Sequence, residues 1–176
     1  MQLDRLRELR GAEDWTIASV QALHRFYRRD GTTIAAGWMT REDRELMISD
    51  NIAYVDGVVD AIAREFGQPS ALVFAGFSQG ASMAYRAAAS GLRRAAVIAV
   101  GGDVPPELDR DTLTRIPHAL IGWGARDRFF TREIRDRDER RLRDAGVDVT
   151  AIDLDAAHEW TDAFSGSARN WVRAHA

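Results

Sequence analysis

The stretch Ala71-Leu72-Val73-Phe74-Ala75-Gly76-Phe77-Ser78-Gln79-Gly80 joins an apolar run to a serine flanked by glycines, and Ala81-Ser82-Met83-Ala84-Tyr85-Arg86-Ala87-Ala88-Ala89 follows it. Residues 71–75 predict a strand and residues 81–89 a helix. G-x-S-x-G between a strand and a helix is the context of a nucleophile elbow, a turn that lifts a serine hydroxyl clear of the sheet edge. The turn is expected to be so tight that only glycine fits at both Gly76 and Gly80.

Downstream, residues 95–100 carry no polar side chain, the mark of a strand buried on both faces. Residues 118–123 and 147–154 predict two further strands. Between them a charged helix over 131–145 is closed by Gly146, and a last helix starts at Trp160. Upstream, residues 15–22 (Trp-Thr-Ile-Ala-Ser-Val-Gln-Ala) predict the first strand and residues 23–39 an irregular segment. A long helix is expected from Thr40, which forms a capping-box pattern with Asp43, to its end at Gly67. Leu3, Leu6 and Leu9 give residues 2–10 one apolar edge, predicting a short first helix. Strands alternate with helices, and the central strands are apolar throughout. This predicts one domain over 1–176, three-layer α/β/α, with a mostly parallel central sheet of about five strands.

Composition narrows the function classes. Hydrophobic residues are 45% of the chain, charged residues 29%, and the formal net charge is −3. That balance gives no electrostatic footprint for a nucleic-acid partner. No cysteine is present, which excludes disulfides, thiolate metal ligands and a cysteine nucleophile. No apolar stretch reaches membrane-spanning length, and the first residues lack a signal peptide's apolar core, so a cytoplasmic protein is expected.

A serine hydroxyl is a weak nucleophile near neutral pH. It needs a base to take its proton and an acid to hold that base in the right tautomer. His158 follows the last expected strand, in Asp155-Ala156-Ala157-His158-Glu159, where a base could reach Ser78. His118 reads as a strand-end residue, His24 as a candidate pocket residue and His175 as part of the terminal tail. For the acid, Asp127 in Gly124-Ala125-Arg126-Asp127 is favoured over Asp103, because its strand comes next before that of His158. Asp153, Asp155 and His158 are close in sequence but do not make a ligand set. No metal and no cofactor are expected.

Gly76-Phe77-Ser78-Gln79-Gly80-Ala81, Gly37-Trp38, Gly124-Ala125-Arg126-Asp127 and His158 together resemble the phospholipase/carboxylesterase branch of the α/β-hydrolases, the group that includes acyl-protein thioesterases. The resemblance covers roughly residues 15–174, and the serine motif is its specific part. It implies a serine hydrolase acting on small-molecule esters or thioesters, with Ser78, Asp127 and His158 as triad. It also implies Gln79 as one oxyanion N–H donor. The similar dienelactone hydrolases normally use a cysteine nucleophile and fit less well.

In that family a strand ending in a His-Gly-type loop precedes the first helix and supplies the second oxyanion donor. No such segment precedes Leu3. Three readings stay open: a natural start upstream of Met1, which is preferred; direct pairing of residues 15–22 with the elbow strand; or a homo-oligomer in which a second copy fills the gap. His24, Phe26, Tyr27, Trp38 and Met39 leave the expected ligand-binding edge of the sheet and are the candidate substrate-pocket residues. The loop from Gly101 to Pro117 is too short for a large lid, which favours an open site. The helix over 131–145 is expected to be a solvated face.

Overall fold

Four strands and the helices between them carry the architecture of the computed structural model, which describes residues 2–9 and 15–175. In chain order the elements are α1 (Gln2–Glu8), β1 (His24–Tyr27), β2 (Ile34–Gly37), α2 (Arg44–Phe66), β3 (Val73–Phe77), α3 (Gln79–Ser90), β4 (Ala96–Val100), α4 (Arg110–Leu113), β5 (His118–Gly124), α5 (Arg132–Asp144), β6 (Asp148–Leu154) and α6 (Asp162–His175). Strands β3-β4-β5-β6 form a parallel sheet in that order, and β1 pairs antiparallel with β2 as a separate hairpin.

Period-2 alternation assigns each strand residue to a layer. In β4, Val97 and Ala99 join Tyr85 of α3, Leu113 of α4 and Leu142 of α5 in one core. Ile98 and Val100 face the other way, into a core with Phe164, Trp171 and Val172 of α6 and with Leu9. Every residue of β4 is buried, as an apolar run without alternation requires. A third cluster joins Val55 of α2 to Met83 and Ala87 of α3. No helix among the described residues is long and apolar enough to cross a membrane.

Several expectations are corrected. Residues 15–22 form no strand, so among the described residues the parallel sheet has four strands rather than about five. Trp15 packs in the α6-side core whereas Val20 packs against α2 and α3. The segment therefore passes from one layer to another instead of running along β3, and among the described residues β3 pairs with β4 alone. The supposedly irregular residues 23–39 contain the hairpin. Its loop is closed by Asp30, which accepts from the backbone N–H groups of Thr32 (2.9 Å) and Thr33 (2.8 Å).

Thr40 does not cap α2. Its hydroxyl donates to Glu42 O (3.1 Å), and the helix begins after Asp43, held in the left-handed region at φ 49°. Glycine ends α2 as expected, with Gly67 at φ 93°. Nor is α5 wholly a solvated face. Leu142 is fully buried, and buried Asp138 accepts the Val104 N–H at 2.7 Å.

Candidate active site

Ser78 is the single residue between β3 and α3. Its φ of 55° and ψ of −124° are sparsely populated by residues with a side chain, a strain that the surrounding structure must hold in place. The Ser78 N–H donates to Val100 O (2.9 Å), extending the β3–β4 ladder into the turn. The turn folds α3 back so closely that a Cβ on Gly76 would lie 2.1 Å from Gly80 O. The expectation for Gly80 is corrected: a Cβ there meets its nearest neighbour, Trp38 Nε1, at an ordinary 3.9 Å. The steric demand falls on Gly76 alone because its Cβ would point at the first helical turn, whereas that of Gly80 points away.

The C-terminal ends of β5 and β6 bring two further side chains to Ser78. His158 Nε2 lies 2.9 Å from Ser78 Oγ, and His158 Nδ1 lies 2.7 Å from Asp127 Oδ2. The other carboxylate oxygen of Asp127 accepts the backbone N–H groups of Phe129 (2.8 Å) and Phe130 (3.0 Å). Burial opposes ionisation of Asp127. The Phe130 N–H, the His158 ring and the Phe129 N–H together outweigh it and hold the carboxyl below the usual carboxylate range. An ionised carboxylate can only accept. The proton of neutral His158 is therefore on Nδ1, and Nε2 is left to accept the Ser78 hydroxyl.

Local braces fix this line. The Trp123 indole N–H donates to Phe130 O (2.8 Å), tying the Asp127 loop to β5. Arg126 N donates to Ala156 O (2.9 Å), and its guanidinium pairs with Asp155. The two loops pass so closely that a Cβ on Gly124 would lie 2.3 Å from Ala157 O. The His158 ring sits against Phe77 (centroids 4.8 Å) and meets Phe129 edge-on (5.2 Å).

Two clefts meet at Ser78. One, of about 310 Å³, is lined by residues 19–22, Ala36, Trp38 and the elbow. The other, of about 320 Å³, is lined among others by Ser82, Asp103, Phe129, Ile134 and His158. Of the pocket candidates, Trp38 lines the first cleft. His24 instead has its Nε2 3.5 Å from the Asn51 amide on α2, and Phe26 and Tyr27 are exposed on the hairpin. Met39 takes part through its backbone: its carbonyl accepts from the Gln79 side-chain amide (3.0 Å), whose oxygen accepts the Trp38 N–H (2.7 Å). This pair of bonds straps residues 38–39 to the first residue of α3. Asp103 accepts the Ser82 hydroxyl (2.9 Å) rather than a histidine.

Sequence reasoning missed residues 19–22 and Phe129 as neighbours of Ser78. The first were hidden by their strand-like pattern. Phe129 left a signal in its position two residues after the candidate acid.

No protein-family model and no curated protein sequence matches the chain. Solved structures do. SOBER1 of Arabidopsis thaliana is 15% identical, with 82% of this chain and 76% of that one covered at a TM-score of 0.68. A carboxylesterase of Bacillus cereus is 17% identical over 84% of this chain and 71% of its own, at 0.65. Esterase PE8 is 20% identical over 77% and 67%, at 0.61. At these identities the likeness is one of architecture, and it agrees with the layer order, the parallel sheet and the strand–serine–helix turn: the chain has the α/β-hydrolase fold.

Proposed function

We propose that the chain is a serine hydrolase that cleaves carboxylic esters or thioesters through an acyl-enzyme on Ser78. The observation that carries this reading is the unbroken line from Ser78 Oγ to His158 Nε2 (2.9 Å) and from His158 Nδ1 to Asp127 (2.7 Å). Nε2 takes the hydroxyl proton as Oγ attacks the carbonyl, and Asp127 stabilises the resulting imidazolium. The Gln79 N–H, in the first turn of α3 where no intrahelical acceptor exists, is the oxyanion donor. His158 then returns the proton to the departing alcohol or thiol. Water repeats the sequence on the acyl-enzyme to release the acid.

The proton delivery sorts the two clefts. The leaving group must lie within reach of Nε2, hence in the cleft lined by His158 and Asp103. The acyl group then occupies the cleft lined by Trp38 and residues 19–22. Both volumes suit small substrates. Two of the structurally similar proteins are called esterases by name, which supports the ester class.

A second reading is a binding domain without turnover. What favours it is that, among the described residues, Gln79 is the one oxyanion donor assigned, and losing one such donor typically costs about 10²–10³ in turnover. A fluorophosphonate probe and p-nitrophenyl and thioester substrates, applied to the chain and to Ser78→Ala and His158→Ala, separate the two. Labelling and hydrolysis that need both residues support the hydrolase. A folded chain that neither labels nor turns over leaves the binding domain.

A further inference from the structure

At the edge of the sheet opposite Ser78, three side chains converge that the reaction does not use. His118 opens β5 and Asp148 opens β6, and the two are register partners in the parallel ladder. Partners in register point to the same face. Leu120 and Leu154 continue that face into the core under α6. Helix α6 runs back across this face from the His158 loop and delivers His175 to the same corner at its last turn. His118 Nδ1 lies 3.2 Å and His175 Nε2 3.6 Å from the same oxygen, Asp148 Oδ2. One ligand atom from each of the three residues lies within 4.8 Å of the others.

The hydrogen bonding around His175 bears on what this corner could take. His175 Nδ1 lies 2.9 Å from Trp171 O. A carbonyl only accepts, so Nδ1 carries the proton, and in the neutral ring the Nε2 lone pair faces the Asp148 carboxylate. Lone pair against carboxylate is repulsive. Either a proton on Nε2 or a metal ion between the groups relieves that repulsion, and because both imidazoles converge on the one oxygen Asp148 Oδ2, a single metal ion can serve both rings at once. A histidine whose distal N–H is held by a backbone carbonyl is also the usual arrangement around a metal ligand. The Trp171 ring, stacked at 4.8 Å on the His175 ring, fixes its orientation further. Donors about 2.0–2.1 Å from a tetrahedral ion stand about 3.3 Å apart. The 3.2 and 3.6 Å separations from Asp148 Oδ2 are near that spacing, and the set as a whole, spanning up to 4.8 Å, must draw in to close on an ion.

We propose that His118, Asp148 and His175 form a binding site for a borderline divalent transition-metal ion such as Zn²⁺, with two imidazole nitrogens and one carboxylate as ligands and water completing the shell. The donor set suits zinc, nickel or copper and not magnesium or calcium, which take oxygen ligands. The seven residues of β5 at about 3.3 Å each put this corner roughly 20 Å from the Ser78 edge. The ion therefore acts as a clamp, joining the end of α6 to the starts of β5 and β6, and not as a participant in chemistry at Ser78.

Calorimetric titration of the untagged, full chain with Zn²⁺ tests the site, with Mg²⁺ as the contrasting ion. Wild type is expected to bind one Zn²⁺ and no Mg²⁺, with a Tm that rises as Zn²⁺ is added. His118→Ala and His175→Ala should each weaken Zn²⁺ binding by about tenfold or more, and near-isosteric Asp148→Asn should do the same without loss of the fold. His158→Ala should bind as wild type does. Absence of Zn²⁺ binding to folded wild type overturns the proposal. So does binding that survives the three corner substitutions, or binding lost in His158→Ala, which would put the ion at the Ser78 edge.

Discussion

At the scale of single residues, Asp127 and Gly76 carry the sharpest consequences. Asp127→Asn keeps the size of the side chain but lets its amide donate to Nδ1, which favours the wrong imidazole tautomer. On the hydrolase reading, kcat should fall by about 10⁴, measurable with an activated ester. The same carboxyl is held below its usual range by the Phe130 N–H, His158 and the Phe129 N–H against the cost of burial. A lowered carboxylate value adds stability above the unfolded value of about 3.9, and that stability is lost as pH falls through the folded value. The Tm gap between wild type and Asp127→Asn should therefore be widest near neutral pH and shrink as the pH falls below the ordinary carboxylate range. At the elbow, a Cβ on Gly76 would meet backbone at 2.1 Å. Gly76→Ala should cost at least about 1–3 kcal/mol in denaturant unfolding, whereas Gly80→Ala should fold. Asp103 bears on specificity instead. It lines the cleft with His158, and on the hydrolase reading proposed above Asp103→Asn should reduce kcat/KM for esters of cationic alcohols more than for neutral ones.

At the scale of elements, α6 does two jobs. Its buried face seals one side of the sheet, with Phe164 fully buried against Gly122, where a Cβ would come within 2.5 Å of the Phe164 ring. Ring and glycine are complementary in volume, so Phe164→Ala leaves a cavity that the rigid strand cannot fill. A loss of about 3–5 kcal/mol is expected from thermal or denaturant unfolding. The start of α6, following the His158 loop, is tied to α1 by the Arg5–Asp162 ion pair and by Ser165, whose hydroxyl donates to Glu8 at 2.7 Å. Helix α3 depends on packing rather than capping. It begins without a side-chain cap yet buries nine consecutive residues, Arg86 among them. Arg86 is compensated by Glu107 at 2.8 Å, which also pairs with Arg44 of α2 at 3.0 Å.

At the scale of the whole molecule, pairing is uneven across the sheet. Among the described residues, β4 and β5 have a neighbour on each side, β3 and β6 have one each, and the β1–β2 hairpin stands apart from the sheet. Opening free energy follows buried contacts and shared hydrogen bonds. Hydrogen exchange should therefore be slowest in β4 and β5, faster in β3 and fastest in β1–β2. Protection of β3 equal to that of β4 would mean that the β3 edge is covered in solution, as an exposed sheet edge invites.

The sequence alone determined what depends on local chemistry: the alternation of strands and helices from residue 71 onward, the wholly buried β4, the glycine-terminated α2, and the strand–serine–helix turn. Each is written in neighbouring residues through periodicity or a backbone demand. It also singled out Ser78, Asp127 and His158 by chain order, though only the fold decided that their side chains meet. Tertiary structure decided the rest. Residues 15–22 alternate like a strand, but their Trp15 and Val20 are claimed by different cores, and packing overrides propensity there. The hairpin had a local signal, Asp30-Gly31, masked by the charged and aromatic residues around it. Nothing in the chain links His118, Asp148 and His175. Their meeting is set by strand register and by the length of α6, which are properties of the assembled sheet and not of any one segment.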